Sequence, residues 1–200
     1  DSRNFIIPGL IAVIMMVIAA MLTSLTVVRE RERGTMEQLV STPVKPAELI
    51  VGKLLPYFFI GFADVVIAAL MGEFLFGVPL RGSPLLMLMV SAVFLVGALS
   101  LGILISAVSK TQLMANQIGL LATFLPAFLM SGFMFPVANM PSFIQMLTYL
   151  FPAKYYINIQ RAIYLKGAGW ALVGSEILLL SAFAAVALAL AVKRFVKKLD

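Results

Sequence analysis

The chain has 200 residues, 62% of them hydrophobic and 12% charged, with a formal net charge of +6. A soluble domain carries about 25% charged residues, so this composition and a mean hydropathy of +1.06 mark a polytopic membrane protein. The lack of cysteine and histidine excludes disulfides, Cys/His metal sites and histidine-dependent catalysis.

A helix needs about 20 apolar residues, rising about 1.5 Å each, to cross a bilayer. The first such run covers residues 5–28 and carries no charge. Its Pro8 falls in the first turn, where a missing N–H is tolerated. The run is too long for a signal-peptide core and lacks a basic flank and a small-residue cleavage site.

Residues 28–46 come next, reading VRERERGTMEQLVSTPVKP. A charge cluster between two spans lies at a membrane surface. Arg29, Glu30, Arg31, Glu32 and Arg33 alternate in sign, and on a helix Arg29 and Arg33 share a face. Thr35 and Gln38 are spaced as a capping box, Gly34 ends the charged run, and Pro43 and Pro46 close the helix that Thr35 opens. This predicts a short helix over about residues 36–41, fixed between two spans. The charge pattern alone also fits a plain stop-transfer run.

The second span covers residues 51–76, interrupted by Lys53, Asp64 and Glu73. Asp64 lies midway along it, near the bilayer centre. An exposed carboxylate there costs about 2.5–3.5 kcal/mol on insertion scales. No Lys or Arg lies at matching depth in any span. Asp64 is either a lining residue of a translocation path or an interhelical hydrogen-bonding group. Glu73 and Glu176 lie nearer the ends of their spans and reach interfacial water.

The third and fourth spans cover residues 84–108 and 113–136, and the last covers residues 170–192, before Lys193, Arg194, Lys197 and Lys198. Ala98, Gly102 and Ser106 form a small-residue stripe in the third span, as do Ser181, Ala185 and Ala189 in the last. Such stripes let helices approach closely, within a subunit or between subunits. Pro56 and Pro126 predict kinks or local unwinding.

Residues 111–153 carry no charge, which is too long for one span and too short for two with a loop. Pro136 and Pro141 divide the stretch. After Pro141, Ser142 and Gln145 have capping-box spacing, and Phe143, Met146, Leu147 and Leu150 recur at helical intervals. That helix is too short to cross. With a second short segment at residues 153–165 it forms a hairpin over residues 137–169. Tyr149, Tyr155, Tyr156, Tyr164 and Trp170 cluster there, as an aromatic anchoring belt or as an external gate containing Tyr155 and Tyr156.

With the Arg29–Lys53 region inside, ten basic residues are inside and Arg3, Arg81, Lys154, Arg161 and Lys166 are outside. The positive-inside rule favours that orientation, with the start of the chain outside and its end cytoplasmic. The basic residues are thereby explained as span ends, with no nucleic-acid partner implied. An N-out start without a signal sequence is met most simply by a missing upstream span, with a native N-out protein as the alternative. No G-x-x-x-x-G-K-[ST] phosphate loop occurs, so the chain does not hydrolyse ATP by that route. H-E-x-x-H metalloproteases and Ser–His proteases are excluded, and one mid-membrane Asp argues against an aspartyl protease.

Two stretches carry a family resemblance. RERERGTMEQLVSTPVKPAELIVGKLLPYF resembles the first cytoplasmic loop and following span of type-2 ATP-binding-cassette exporter permeases. LMSGFMFPVANMPSFIQMLTYLFPAKYYI resembles the outer end of their fifth span and the external hairpin after it. The likeness covers essentially the whole chain and is closest to bacterial multidrug-export permeases. Members have six spans and a large external domain after the first. The resemblance thus implies that this chain holds the second to sixth spans. It also implies a second permease copy, the same or a related chain, and ATP-binding subunits that hold ATP and Mg while this chain holds no cofactor. The charged loop then supplies the coupling surface, at Glu30, Glu32, Gly34, Thr35, Glu37 and Gln38. A membrane-fusion protein and membrane lipid are further expected partners, in a bacterial inner membrane.

The expected fold is an all-α polytopic membrane protein. One permease domain over residues 1–200 has five transmembrane helices, a coupling loop at residues 29–50 with a short cytoplasmic coupling helix, and an external short-helix hairpin. The expected function is ATP-driven export of a hydrophobic or amphiphilic compound, drugs included. An ion-coupled transporter using Asp64 and a non-transporting membrane scaffold are the alternatives.

Overall fold

Lipid offers the backbone no hydrogen-bond partners, so a chain this apolar closes its backbone bonds within helices. The computed structural model describes residues 2–35 and 43–196, and no strand occurs among them. Helix α1 (Ser2–Ser24) runs into α2 (Thr26–Glu32). Next come α3 (Pro46–Phe74), α4 (Pro84–Val108) and α5 (Gln112–Leu125). The short helices α6 (Ser142–Thr148) and α7 (Pro152–Lys166) precede α8 (Trp170–Val196). Among the described residues, five stretches are long and apolar enough to cross a membrane: Ile6–Glu32, Pro46–Phe74, Pro84–Val108, Gln112–Met130 and Trp170–Phe195.

Local chemistry sets the helix ends. Pro46 opens α3 at a position that needs no N–H, and the Glu48 carboxylate accepts from the Lys45 N–H at 3.1 Å. Ser83 and Thr111 cap α4 and α5 by accepting from the N–H groups of Leu86 and Met114. At Pro126 the ring cannot donate, and the helix passes into a π-helical turn over Pro126–Met130. Pro56 lies within a continuous α3.

The first span continues to Glu32 instead of stopping where the charges begin. It is interrupted at Leu25, where Thr23, Ser24 and Thr26 crowd the break with hydroxyls. Ser24 Oγ donates to Met21 O at 2.8 Å and Thr26 Oγ1 to Thr23 O at 2.8 Å. Such back-bonding bends helices. From the neighbouring helix, Ser106 Oγ accepts from the N–H groups of Val27 at 3.0 Å and Val28 at 2.9 Å. The N–H groups just past the break are thereby paired inside the bundle.

Helix α4 is the central post. Of its most apolar window 61% is buried, against 11% for α3. It packs on α1, α3 and α8. Its small-residue stripe faces inward, with Ala98, Gly102 and Ser106 all buried. At Gly102 an added Cβ would lie 1.9 Å from Thr23 Oγ1 and 2.4 Å from Ala20 O, so the closest approach of α1 and α4 requires glycine. Thr23 Oγ1 lies 2.9 Å from Leu99 O across the same contact. The stripe on α8 behaves differently. Ser181, Ala185 and Ala189 are exposed, while Leu180, Ala184, Ala187 and Ala191 face the bundle.

Helix α6 departs from its expected cap. The cap residue is Pro141 and Ser142 is already helical. Gln145 Nε2 instead donates to Met140 O at 2.8 Å. Helix α7 is the least apolar of the long segments, yet it is driven into the bundle against α1, α4 and α8. Most of its polar side chains find partners there, although Gln160 Oε1 is buried without a hydrogen bond among the described residues. Lys154 Nζ donates to Thr148 Oγ1 at 2.8 Å and sits 3.4 Å from the centre of the Tyr149 ring. Burial pushes the Lys154 ammonium down from its ordinary value.

Candidate functional site

The charged segment carried by α2 is built into the bundle at three points. Arg31 Nη1 donates to Ser109 O at 2.8 Å and Nη2 to Ala107 O at 3.2 Å. These carbonyls close the C-terminal end of α4, where the helix dipole favours a cation. Glu32 answers at the next helix. Its carboxylate accepts from the Gln112 N–H at 2.8 Å and from the Gln112 side-chain amide, placing an anion on the N-terminal end of α5. Glu30 forms an ion pair with Lys53 of α3. Alternating charge thus becomes a clasp: Arg31 holds α4, Glu32 holds α5 and Glu30 holds α3. Arg29 adds a bond from Nε to Gln112 Oε1 at 3.3 Å.

Gly34 comes next with φ +70°, a left-handed conformation that glycine adopts without a Cβ penalty. It turns the chain so that the N–H of Thr35 donates to Glu30 O at 3.1 Å. Of the sequence-derived coupling residues, the structure therefore brings Glu30, Glu32, Gly34 and Thr35 to one end of the bundle. Glu37, Gln38 and the helix expected at residues 36–41 lie outside the described residues.

A cavity of about 800 Å³ opens beside the clasp, with Arg29, Glu30, Arg33, Thr35, Lys53 and Tyr57 on its walls. A second, of about 210 Å³, shares Ile18, Leu22 and Tyr57 with it and extends to Asp64. The two form one groove between α1 and α3. Asp64 is exposed on that groove and makes no hydrogen bond or ion pair among the described residues.

Tyr155 and Tyr156, the gate candidates, sit on α7 in different settings. Tyr155 OH donates to Tyr149 O at 2.7 Å. Tyr156 is fully buried. Its ring stacks on Phe94 at 4.1 Å, and its hydroxyl lies 2.7 Å from both Ser91 Oγ and Gln160 Nε2. Burial pushes this hydroxyl up to about 12, although the bonds to Ser91 and Gln160 act the other way. Among the aromatic group of the hairpin, Tyr149 and Trp170 are exposed, whereas Tyr155, Tyr156 and Tyr164 are buried. Tyr156→Phe is expected to destabilise the bundle by about 0.5–1.5 kcal/mol, because Ser91 and Gln160 each lose one hydrogen bond while keeping their own contact at 3.2 Å. Thermal unfolding in detergent measures this, and an unchanged midpoint contradicts it.

Sequence reasoning passes over Arg31, Lys53, Ser106 and Gln112 as members of this site. Their partners lie 23 to 80 residues away in the chain. Only the sign alternation of Arg29–Arg33 hints that several helix ends are met at once.

The five long apolar helices define a multi-pass membrane protein. The chain matches the family model described as ABC-2 family transporter protein over residues 1–193, and it belongs to that family. It is 45% identical over 166 residues to the probable multidrug ABC transporter permease YbhS of Escherichia coli, covering 83% of this chain and 44% of the relative. The probable multidrug ABC transporter permease YbhR of the same organism is 34% identical over 168 residues, covering 84% and 45%. The inner membrane transport permease YhhJ of Escherichia coli is 32% identical over 198 residues, covering 94% and 51%. The chain spans about half the length of the curated relatives it matches.

Proposed function

We propose that this chain forms the membrane-spanning core of an ATP-driven exporter. It moves a hydrophobic or amphiphilic compound outward across a bacterial inner membrane. The carrying observation is the clasp: one short charged segment grips α3, α4 and α5 at the same end of the bundle. A force applied there reaches three spans together. Family membership supports an ATP-binding cassette subunit, holding ATP and Mg, as the source of that force. A ligand shifts a conformational equilibrium only by its differential contacts with the two states. The clasp is the surface at which nucleotide-dependent contacts act in this reading, with the charged end cytoplasmic and the start of the chain outside. A second permease copy completes the path, and a membrane-fusion protein is a further candidate partner.

The test uses the full-length permease. It is expected to co-purify with an ATP-binding cassette subunit. Inverted vesicles carrying both are expected to accumulate a fluorescent amphiphile only when ATP is supplied. Accumulation driven by a proton gradient without ATP contradicts the proposal and favours ion coupling through Asp64.

A further inference from the structure

The groove between α1 and α3 contains one feature that ATP coupling does not use. Asp64 stands on the wall of the inner cavity, and no Lys or Arg lines that cavity. Ile11, Ile14, Met15 and Leu95 supply apolar walls around it, and Tyr57 stands where the two cavities meet. The nearest cation along α3 is Lys53, eleven residues earlier, or about 16 Å along a helix. It is already paired with Glu30. Asp64 therefore has no counter-charge from the described residues in a mostly apolar site.

We propose that this cavity selects amphiphiles bearing a single positive charge, with Asp64 as the specificity-determining residue. The inference rests on the export reading above and names its substrate class. An apolar body fills the cavity of about 210 Å³, and its cation neutralises the carboxylate. The Tyr57 ring offers a cation a second favourable face. Direction of entry follows from charge. Arg29, Arg33 and Lys53 outnumber Glu30 on the walls of the outer cavity and oppose a cation arriving from that end. Ile14 and Ile18 are 47% and 41% exposed beside the inner cavity, so an apolar ligand can reach it from the side of the bundle.

The test is binding of two probes to the purified full-length permease in nanodiscs, without ATP. Benzyltrimethylammonium, small enough for the inner cavity, is the cation and its uncharged isostere neopentylbenzene the neutral comparison. The wild type is expected to bind the cation, and Asp64→Asn to weaken it about tenfold to a hundredfold. Neutral-probe binding stays unchanged, and Asp64→Glu retains the cation. Equal cation affinity in wild type and Asp64→Asn overturns the proposal. So does equal loss of both probes, which makes Asp64 a structural residue. Absence of binding to the wild type, with an altered oligomeric state in Asp64→Asn, overturns it too and assigns the groove to a second copy of the chain. If the binding pattern holds but ATP drives no efflux, the export reading fails and the cation site stands.

Discussion

Gly102→Ala is expected to destabilise the bundle by about 1–3 kcal/mol, through overpacking at its tightest helix crossing. The new Cβ would meet Thr23 Oγ1 at 1.9 Å and Ala20 O at 2.4 Å. A hydroxyl can rotate away, but the Ala20 carbonyl belongs to the backbone of α1. Relief therefore requires α1 to move off α4, which also lengthens the Thr23–Leu99 contact of 2.9 Å. Adding Thr23→Ala to Gly102→Ala removes the first clash and leaves the second. The double variant is thus expected to recover only part of the lost stability. Thermal unfolding of the full-length permease in detergent decides this. Complete recovery contradicts the account, as does an unchanged midpoint in the single variant.

A second large effect is expected at the clasp. Glu30→Lys leaves Lys53 facing a like charge, and Lys53→Glu does the reverse. Breaking a buried pair by removing one partner costs about 3–5 kcal/mol. Lys53 and Glu30 keep 15% and 28% of their side-chain surface, so about 1–3 kcal/mol is expected for each single exchange. The double exchange restores the attraction and is expected to recover most of the loss. A cycle measured by thermal unfolding yields the coupling between the two positions. Additive single effects contradict the clasp.

The two experiments probe features of unequal legibility. The long helices are readable because bilayer thickness forces about 20 apolar residues into one segment. The need for glycine at position 102 is half readable: the small-residue spacing announces a close approach, but not which helix approaches. In α8 the same spacing points outward, since Leu180, Ala184 and Ala187 form the packed face instead. The break at Leu25 is hidden in a stretch, residues 10–33, that has no Gly or Pro. It depends on three local hydroxyls and on Ser106 from another helix.

Helix α7 is the least legible element. Its tyrosines have the composition of an interfacial belt, because a ring with one polar tip suits headgroups and a satisfied interior equally. What decides between them is a partner for the tip. For Tyr156 that partner is Ser91, 65 residues earlier in the chain. The candidate site divides in the same way. Glu30 and Glu32 stand out by sign alternation, but Lys53 and Gln112 become their partners only when α3 and α5 fold back to the same end.

The clasp carried by α2 is the proposed point at which nucleotide-dependent force reaches the spans, and Gly34, which turns the chain just after it, gives the most direct test. Its φ of +70° is inaccessible to proline, whose ring holds φ near about −65°. The measurement is ATP hydrolysis by the ATP-binding subunit reconstituted with full-length permease, wild type against Gly34→Pro and Glu37→Lys. The account predicts that stimulation by the permease falls to the basal rate in both variants. The unfolding midpoint stays near wild type in Glu37→Lys and is slightly lowered in Gly34→Pro, which also loses the N–H that donates to Arg31 O at 3.2 Å. Unchanged hydrolysis in both contradicts it.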